Sequence, residues 1–300
     1  MSLVSLVKIQ KNTIESMKQA IHRSIELVGY SFPEKVESVV IKPNLCYYWD
    51  YTTGQTTDPK FVVSLIQLIR EEISPDAAIS IVESDASAMK CRHVFKILGY
   101  ENLAREQNVK LINLSEEPFD PVTVQVGGQA FNLRIPKLIH GADLRINVPK
   151  IKYAMNPVKV TCALKNVFGC NPFPRKFKYH PHLKEVIVAL NKAMRFDLII
   201  IDGNVVSGIQ PRKLGLVMTS GDPVAADAVA AEITGTKPKT IEYLKLAEKE
   251  GLGSLAFVPV GTPLEYFKSR YPGKSIRTKF MGNAYDLVNK LQLSKRLGIV

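Results

Sequence analysis

The sequence predicts an α/β protein: a mainly parallel sheet that is covered by helices on both faces and carries a small antiparallel hairpin insertion. Short apolar runs rich in Val and Ile alternate along the chain with longer amphipathic stretches. This alternation is typical of parallel strands that are joined and covered by helices. Two further apolar runs, at residues 122–126 and 130–135, are separated by Gly-Gly-Gln, which indicates the hairpin.

The predicted strands and helices follow one another along the chain. The runs that predict strands of the sheet are residues 3–9, 36–41, 77–82, 109–114, 144–148, 196–201 and 214–219. The stretches that predict helices are residues 12–27, 58–72, 90–107, 183–194 and 222–234, with a short lysine-bearing helix after residue 148. An Asp-Pro pair at 58–59 and another at 222–223 mark two helix starts, because Asp is a preferred N-cap and Pro suits the first helical position.

The composition indicates a globular cytoplasmic protein. Of the 300 residues, 46% are hydrophobic and 23% are charged, which is the balance of a soluble globular chain. No apolar run of about 18 residues predicts a membrane span, and the first residues lack the layout of a signal peptide. We therefore expect a cytoplasmic protein without a membrane partner, built as one α/β domain over residues 1–250 with a basic C-terminal appendage, residues 251–300, packed on it.

Positive charge is concentrated between Arg145 and Arg195. This segment holds 11 Lys and Arg residues against one acid, Glu185, so it carries +10 of the net charge of +12. The lysines that follow the strand predicted at 144–148 are Lys150, Lys152, Lys159 and Lys165. Such a cluster predicts a bound small anion, because cations framed by apolar residues are costly without one. The alternative is a solvated basic face.

Polar residues stand where the apolar strands are expected to end. They are Lys42, Asn44, Glu83, Asp85, Lys150, Lys152, Asp202 and Asn204. Ligands of open α/β sheets bind beyond the carboxyl ends of the strands. We therefore expect one cleft to be lined by Lys42, Asp85, Lys150, Lys165 and Asp202. Structural alternatives stay open: Lys42 could leave its strand at the surface, Asp85 could cap a helix, and Asp202 could belong to a turn.

Further candidates lie on the predicted lysine-bearing helix. Thr161 and Lys165 are four residues apart and would share one helix face. Asn166 is adjacent, so that Lys165 and Asn166 would both donate to phosphate or carboxylate oxygens. Lys165 would also act as a base if burial lowered its pKa.

The stretch after residue 174 supplies the remaining candidates. Arg175 offers another cation. His180 and His182 are expected in a non-helical segment, as either a metal-binding pair or exposed loop residues. Asp227 lies among alanines early in its helix and is expected to face the site. A divalent cation is a candidate cofactor, because the predicted acidic residues are suitable ligands.

The four cysteines are predicted to be small buried apolar residues. Cys46, Cys91, Cys162 and Cys170 form no CxxC pair, which suits a reducing compartment and predicts no iron–sulfur cluster in this chain. Cys170 follows a Gly in the basic segment, where a thiol beside cations would ionise easily. The chain also has no P-loop, GxGxxG, GxSxG or HExxH motif, which excludes the recognisable forms of those enzyme classes.

Several motifs together resemble a known family. Between residues 39 and 235 the chain contains, in order, VVIKPNL, TTDPKFV, SIVESDAS, INVPKIK, VTCALKNVFG, the stretch from Arg175 to His182, LIIIDG and TSGDPVAADAVAAEITG. This set resembles the family known as domain of unknown function 362. The resemblance implies a cytoplasmic α/β domain but no reaction. It supports the importance of Lys42, Asn44, Asp85, Lys150, Lys152, Lys165, Asn166, Asp202, Asp222 and Asp227.

The chain departs from that family in three respects. Many members carry a ferredoxin-like module with two cysteine-rich cluster motifs and are described as iron–sulfur proteins, and this chain lacks the module. Asp58 stands where the family usually has His before Pro59. Residues 206–211 replace the usual E-G-x-G-P, which affects whether that loop binds the same ligand.

Three functions are consistent with the sequence. The leading one is an enzyme for a small anionic substrate that carries phosphate or carboxylate. The second is a redox component that docks a separate ferredoxin or another acidic protein. The third is nucleic-acid binding, which we do not expect because Trp49 is the single Trp and no recognised binding motif occurs. For the enzyme we predict Lys165, Asp85 and Asp202 as catalytic residues, and as ligand-binding residues Lys42, Asn44, Lys150, Lys152, Thr161, Asn166, Arg175, His182 and Asp227.

Overall fold

An eight-stranded sheet forms the centre of the computed structural model, which describes residues 1–45, 47–154 and 158–273. In chain order the strands are β1 (Ser2–Lys8), β2 (Ser38–Pro43), β3 (Ala78–Glu83), β4 (Lys110–Asn113), β5 (Phe119–Val126), β6 (Gln129–Pro136), β7 (Leu144–Val148), β8 (Lys152–Tyr153), β9 (Val160–Thr161), β10 (Leu198–Val206), β11 (Arg212–Ser220) and β12 (Phe257–Gly261). In chain order the α-helices are α1 (Ile14–Leu27), α2 (Pro59–Glu72), α3 (Cys91–Ile97), α4 (Tyr100–Glu106), α5 (Lys137–His140), α6 (Ala163–Val167), α7 (Leu183–Ala193), α8 (Pro223–Ile233), α9 (Glu242–Lys249) and α10 (Leu264–Lys268). Short 3-10 helices lie at Tyr51–Thr53, Phe168–Cys170, Lys176–His182 and Pro238–Thr240.

The main sheet has the strand order β12-β1-β11-β10-β7-β2-β3-β4. Neighbouring strands run parallel except at β11, which is antiparallel to both β1 and β10. The predicted α/β class with a mainly parallel sheet is therefore confirmed. All strands of the sheet other than β11 have their carboxyl ends at the same edge, where ligands of such sheets bind.

Helices cover both faces of the sheet because its strands direct apolar side chains alternately to either side. In β2, Val39 and Ile41 belong to a core that includes Met17 of α1 and Phe61 of α2. Val40, between them, belongs to a second core that includes residues of α7 and α9. This alternation has the two-residue period of a strand.

The predicted antiparallel hairpin is formed by β5 and β6, outside the main sheet. Its turn contains Gly127 and Gly128, whose φ angles are +58° and +80°. Two successive positive φ angles are characteristic of a type I′ turn, and glycine adopts them at no steric cost. The Gly-Gly pair in the sequence therefore specifies this connection.

Two predicted helices differ from the observed elements. The helix expected over residues 90–107 is divided into α3 and α4, because Gly99 between them has a φ of +79°. The lysine-bearing stretch after β7 forms the short hairpin β8–β9 before α6 begins. Lys159 in that hairpin has a φ of +61°, which is incompatible with an α-helix.

The C-terminal part of the described chain contributes to the sheet. β12 pairs in parallel with β1 and forms one edge of it. Residues 274–300, which carry most of the predicted basic appendage, lie outside the described residues, so the division at residue 250 stays a prediction. None of the helices in the described ranges has the length and apolar character needed to cross a membrane.

Candidate functional site

A cleft with a volume of about 280 Å³ lies beyond the carboxyl ends of β2 and β3. Its walls come from these strand ends, from β8, β9 and α6, and from the two 3-10 helices at Phe168–Cys170 and Lys176–His182. Among the described residues, one carboxylate lines this cleft together with four lysines: Glu83, Lys42, Lys152, Lys165 and Lys176. The site therefore holds more lysines than carboxylates.

The floor of the cleft contains a buried ion pair. The Nζ of Lys42 lies 2.8 Å from Oε2 of Glu83, and these side chains are 1% and 4% exposed. The same Nζ donates to the carbonyl of Pro43 at 2.6 Å, and the N–H of Ser84 donates to the other Glu83 oxygen at 3.0 Å. The pair forms because β2 and β3 are parallel neighbours, which bring Lys42 and Glu83 to the same edge of the sheet.

Lys176 is a second buried lysine on this floor, 8% exposed. Its Nζ donates to the hydroxyl of Ser84 at 2.5 Å, and that hydroxyl donates in turn to the carbonyl of Gly169. In the described part of the chain no carboxylate forms an ion pair with Lys176. Burial lowers the pKa of Lys176; the Glu83 carboxylate opposes this shift, and the charge of Lys42 adds to it.

A chain of side-chain amides supports the wall formed by α6. Asn44 accepts from Nζ of Lys152 at 2.7 Å and donates to Asn166 at 2.8 Å. Asn166 donates to Asn147 at 2.7 Å, and Asn147 donates to the carbonyl of Ala163 at 3.0 Å. These bonds fix α6 to the ends of β2 and β7 and thereby hold its neighbouring side chains at the cleft.

The mouth of the cleft combines a lysine, an imidazole and three aromatic rings. The Nζ of Lys165 lies 4.6 Å from the centre of the Phe168 ring. Desolvation, and then the charge of Lys165, lower the pKa of His180, so its imidazole is neutral at pH 7. Tyr47 and Phe177 are 44% and 62% exposed although both line the cleft, and Tyr47 has a φ of +53°, which is uncommon for a bulky residue.

Lys150 and Asp202 form a second buried ion pair that does not line the cleft. Nζ of Lys150 lies 3.1 Å from Oδ2 of Asp202, and both side chains are at most 1% exposed. The reason for this position is that β10 continues through Asp202 to Val206, so Asp202 lies within a strand rather than beyond its end. Nζ of Lys150 also donates to the carbonyl of Val205 at 2.7 Å. The pair is therefore buried and hydrogen-bonded within the core.

Asp58 lies beside this second pair. Its N–H donates to Oδ2 of Asp202 at 2.9 Å, and its Oδ1 accepts from the N–H of Lys60 at 2.9 Å, which caps α2 as predicted. Its Oδ2 is buried without a hydrogen-bond partner among the described residues. Burial, and then the charge of Asp202, raise the pKa of Asp58 to about 6.

Asp85 and Asp227 bind the first residues of helices and do not line the cleft. Asp85 accepts from Nζ of Lys90 at 2.7 Å and from the N–H of Cys91, the first residue of α3, at 2.9 Å. Burial raises the pKa of Asp85, but these hydrogen bonds outweigh it and the net shift is downward. Asp227 accepts from the N–H of Ala163, the first residue of α6, at 2.5 Å, and burial raises its pKa to about 7.

Arg175 and His182 are exposed residues that the cleft does not include. His182 lies 6.2 Å from the ring of Phe131 in the hairpin. The segment predicted as non-helical is a 3-10 helix, and this helix directs Lys176 and His180, rather than His182, to the cleft. Of the predicted site residues, the structure thus brings together Lys42, Asn44, Lys152, Thr161, Lys165 and Asn166. It leaves outside the cleft Asp85, Lys150, Arg175, His182, Asp202 and Asp227.

Glu83, Lys176 and His180 line the cleft but were not among the predicted catalytic and ligand-binding residues, although Glu83 was named as a strand-end residue and His180 as one of a possible metal-binding pair. The sequence did indicate Glu83, because it is the last residue of an apolar strand. It did not indicate Lys176, since that residue is one of several lysines in a basic run and only the fold buries it. Cys170 is buried, as predicted for the cysteines, and the alternative that its thiol ionises easily beside cations is wrong: burial raises its pKa to about 12 despite the opposing charge of Lys42.

The cysteines that the structure describes are free and buried: Cys91, Cys162 and Cys170. Cys46 lies outside the described residues. In the three described ranges, no three or more His, Cys, Asp and Glu side chains come together in a way that could hold a metal ion.

Comparisons with known proteins extend these findings. A family model described as Domain of unknown function (DUF362) matches residues 39–232. The chain is 28% identical over 270 residues to the thylakoid-associated protein sll1697 of Synechocystis sp., an alignment that covers 84% of this chain and 81% of that protein. Among solved structures, the lactate racemase apoprotein from Thermoanaerobacterium thermosaccharolyticum is similar with a TM-score of 0.46 and 13% identity, over 78% of this chain and 57% of that one.

Proposed function

The chain belongs to the family described as domain of unknown function (DUF362), as its motifs predicted, and we propose that its cleft is the active site of an enzyme for a small anionic substrate. This proposal rests on the environment of Lys176. This residue is a buried lysine on the cleft floor whose hydrogen-bond partner is a hydroxyl, and Glu83, the carboxylate of that floor, already pairs with Lys42.

The charge balance of the floor supports an anion as the missing partner. Lys42 and Lys176 are two buried cations, and Glu83 is one buried anion. A buried charge without a counter-charge is costly, by several kcal/mol for an ion removed from water. A phosphate or carboxylate that enters the cleft supplies the counter-charge and restores the balance.

We assign the cleft residues to two roles. Lys165 and His180, at the mouth, bind the anionic group of the substrate, Lys165 as a point charge and His180 as a hydrogen-bond donor. Lys42, Glu83 and Lys176, on the floor, face the reacting part of the substrate. Asp85 and Asp202, which the sequence suggested as catalytic, act through the elements they hold in place, because neither lines the cleft.

An anion-binding assay with matched variants tests this proposal. Lys165→Met and Lys178→Met each remove a lysine whose Nζ lies over a Phe ring, at 4.6 and 3.4 Å, but only Lys165 lines the cleft. Phosphate, pyrophosphate and citrate should raise the melting temperature of the wild type and of Lys178→Met. The increase should fall at least several-fold in Lys165→Met. Equal stabilisation of all three proteins would refute the assignment.

Salt dependence separates an enzyme cleft from a docking surface. Chloride at matched ionic strength should not reproduce the stabilisation, because a desolvated site is screened less than an exposed one. Docking of a ferredoxin or another acidic protein would instead weaken steeply as salt rises. Turnover is then sought by proton NMR with small phosphates and carboxylic acids, where Lys165→Met should be slower than Lys178→Met. We propose a cytoplasmic location for this activity.

A further inference from the structure

We infer that Lys176 is a catalytic amine that forms a Schiff base with a carbonyl group of the substrate. This inference rests on the proposed function and specifies the substrate class: a small molecule that carries a ketone or aldehyde close to its carboxylate or phosphate. Three observations lead to it, namely the position of Lys176, its hydrogen bond and its neighbours.

The hydrogen bonding of Lys176 leaves its nitrogen available to the cleft. Ser84 uses its own proton in a bond to the carbonyl of Gly169, so its oxygen is an acceptor toward Nζ of Lys176. One N–H of Lys176 is engaged in this bond. In the described chain no carboxylate is paired with the nitrogen, and Lys176 lines the cleft, so a substrate atom can approach it.

The surroundings of Lys176 shift its protonation equilibrium toward the neutral amine, which is the nucleophilic form. A lysine becomes a nucleophile near neutral pH when it is desolvated or lies next to another cation. Lys176 meets both conditions, because it is buried and because the ammonium of Lys42 lies close enough to affect it. Burial accordingly lowers its pKa. Lys42 itself forms an ion pair with Glu83.

The reaction is balanced without an oxidant or reductant. The Nζ lone pair of Lys176 attacks the carbonyl carbon, a C–N bond forms, and the π electrons of C=O move to oxygen, which takes a proton from the nitrogen. Protonation of the resulting hydroxyl by a solvent proton lets it leave as water, and the nitrogen lone pair forms the C=N bond. The product is a protonated imine beside Glu83, whose carboxylate stabilises the new cation.

A protonated imine withdraws electrons from the adjacent carbon. It thereby makes that carbon easier to deprotonate or to separate from a neighbouring carboxylate or carbinol. Lys165 and His180, at the mouth, bind the anionic group while the floor reacts. The reaction class that follows is lysis, decarboxylation or proton exchange next to a carbonyl.

Borohydride trapping tests this inference on the wild-type chain. The protein is incubated with pyruvate, oxaloacetate or dihydroxyacetone phosphate, reduced with sodium borohydride and analysed by intact mass and peptide mapping. We expect a borohydride-dependent adduct on Lys176 with at least one of these compounds. The carboxylate and phosphate arms separate the two kinds of anionic group. Because the wild-type map locates the adduct, the result does not depend on the folding of a variant.

Variants provide the control. Lys176→Met should give no adduct, whereas Lys178→Met, two residues away in the same 3-10 helix, should react like the wild type. If phosphate and citrate stabilise the protein but no adduct forms on Lys176 with any of the three compounds, the Schiff base is refuted and the anion site stands. Equal labelling of Lys176 and Lys178 would also refute it. If no anion stabilises the protein, the proposed function itself fails.

Discussion

Among the residues that the structure describes, two lysine–carboxylate clusters are buried at the same edge of the sheet, and they carry opposite excess charge. The cleft cluster consists of Lys42, Glu83 and Lys176 and has one cation more than it has anions. The acid cluster consists of Lys150, Asp202 and Asp58 and has one anion more than it has cations. The two ion pairs are similar, 2.8 and 3.1 Å long and almost fully buried.

The third member of each cluster determines what the cluster can do. In each, burial shifts the pKa of the extra group toward its neutral form: downward for Lys176 and upward, to about 6, for Asp58. The cleft cluster borders a space that a ligand can enter, so an anion can also supply the missing charge there. The acid cluster lies apart from that cleft, and its excess negative charge is neutralised when Asp58 binds a proton. We therefore regard the first as a candidate for chemistry and the second as a structural element.

The largest expected effect comes from removing the carboxylate of each ion pair. Glu83→Gln leaves Lys42 and Lys176 buried without an anion, which should lower the free energy of unfolding by about 3–5 kcal/mol. Asp202→Asn leaves Asp58 to face Lys150, so the loss should be smaller, about 1–3 kcal/mol for the broken hydrogen bonds. Urea unfolding at pH 7, followed by the fluorescence of Trp49, measures both. Equal losses in the free energy of unfolding would show that Lys176 and Asp58 do not affect how strongly each substitution destabilises the protein.

The next effect is a pH dependence specific to the acid cluster. The pKa of Asp58 is about 6 in the folded protein and 3.8 for an unperturbed Asp, so the folded state holds the proton more tightly than the unfolded state. The stabilisation that Asp58 contributes to the free energy of unfolding is present below pH 4, falls as pH rises to about 6 and stays low above that. Asp58→Asn cannot ionise and keeps the oxygen that caps α2. It should be more stable than the wild type by roughly 2–3 kcal/mol at pH 8 and similar at pH 4.

Asp222→Asn is the matched control for Asp58→Asn. Asp222 also precedes a Pro and caps a helix, α8, but both its oxygens accept hydrogen bonds, from Val224 and Ala225 and from Ser2 and Ser254. Removing this charge should therefore destabilise the protein at pH 8 rather than stabilise it. Destabilisation by both substitutions at pH 8 would show that Asp58 is as well satisfied as Asp222.

The fold could be predicted from local patterns because each pattern has a local physical cause. Val39, Val40 and Ile41 are apolar because both faces of β2 are covered, and the caps at Asp58 and Asp222 use adjacent backbone N–H groups. The prediction failed where a backbone conformation was decisive. Gly99 divides a helix at a point where the apolar pattern continues, and the hairpin β8–β9 replaces a helix in the lysine-bearing stretch.

The candidate site could be predicted only in part, because sequence position does not show which strand ends are open. Lys42 and Lys150 both follow strands predicted from the sequence, at residues 36–41 and 144–148, so both were expected to line the cleft. Two distant elements distinguish them: the 3-10 helix that brings Lys176 to Lys42, and the cap of α2 that brings Asp58 to Lys150. Such long-range contacts leave no periodic signal in the chain.

A smaller effect should come from filling the space beside the cleft cluster. A Cβ at Gly169 would lie 2.8 Å from Cε of Lys42 and 2.9 Å from Oε1 of Glu83, whereas a Cβ at Gly221 would meet nothing within 4 Å. Gly169→Ala should displace the Lys42–Glu83 pair and cost about 1–3 kcal/mol in the free energy of unfolding. Gly221→Ala should change it by less than about 0.5 kcal/mol. A stable Gly169→Ala protein that still gains the full stabilisation from phosphate would mean that the pair is not a rigid part of the cleft.

The smallest effect on stability, and the most specific for the cleft cluster, is expected from Ser84→Ala. The hydroxyl accepts from Lys176 and donates to the carbonyl of Gly169, so its loss should cost about 1 kcal/mol. Ser220→Ala is the control, because its hydroxyl likewise donates to a carbonyl, that of Leu3, and accepts one bond, from the N–H of Asp222. When this acceptor is removed, the charged form of Lys176 loses more stabilisation than the neutral form does. The pKa of Lys176 should therefore fall further. Acetic anhydride labelling of Lys176, followed by mass spectrometry across pH, should therefore shift to lower pH in Ser84→Ala and remain unchanged in Ser220→Ala. A shift in the opposite direction would show that Ser84 does not stabilise the ammonium, and that the cleft cluster satisfies its excess cation in another way.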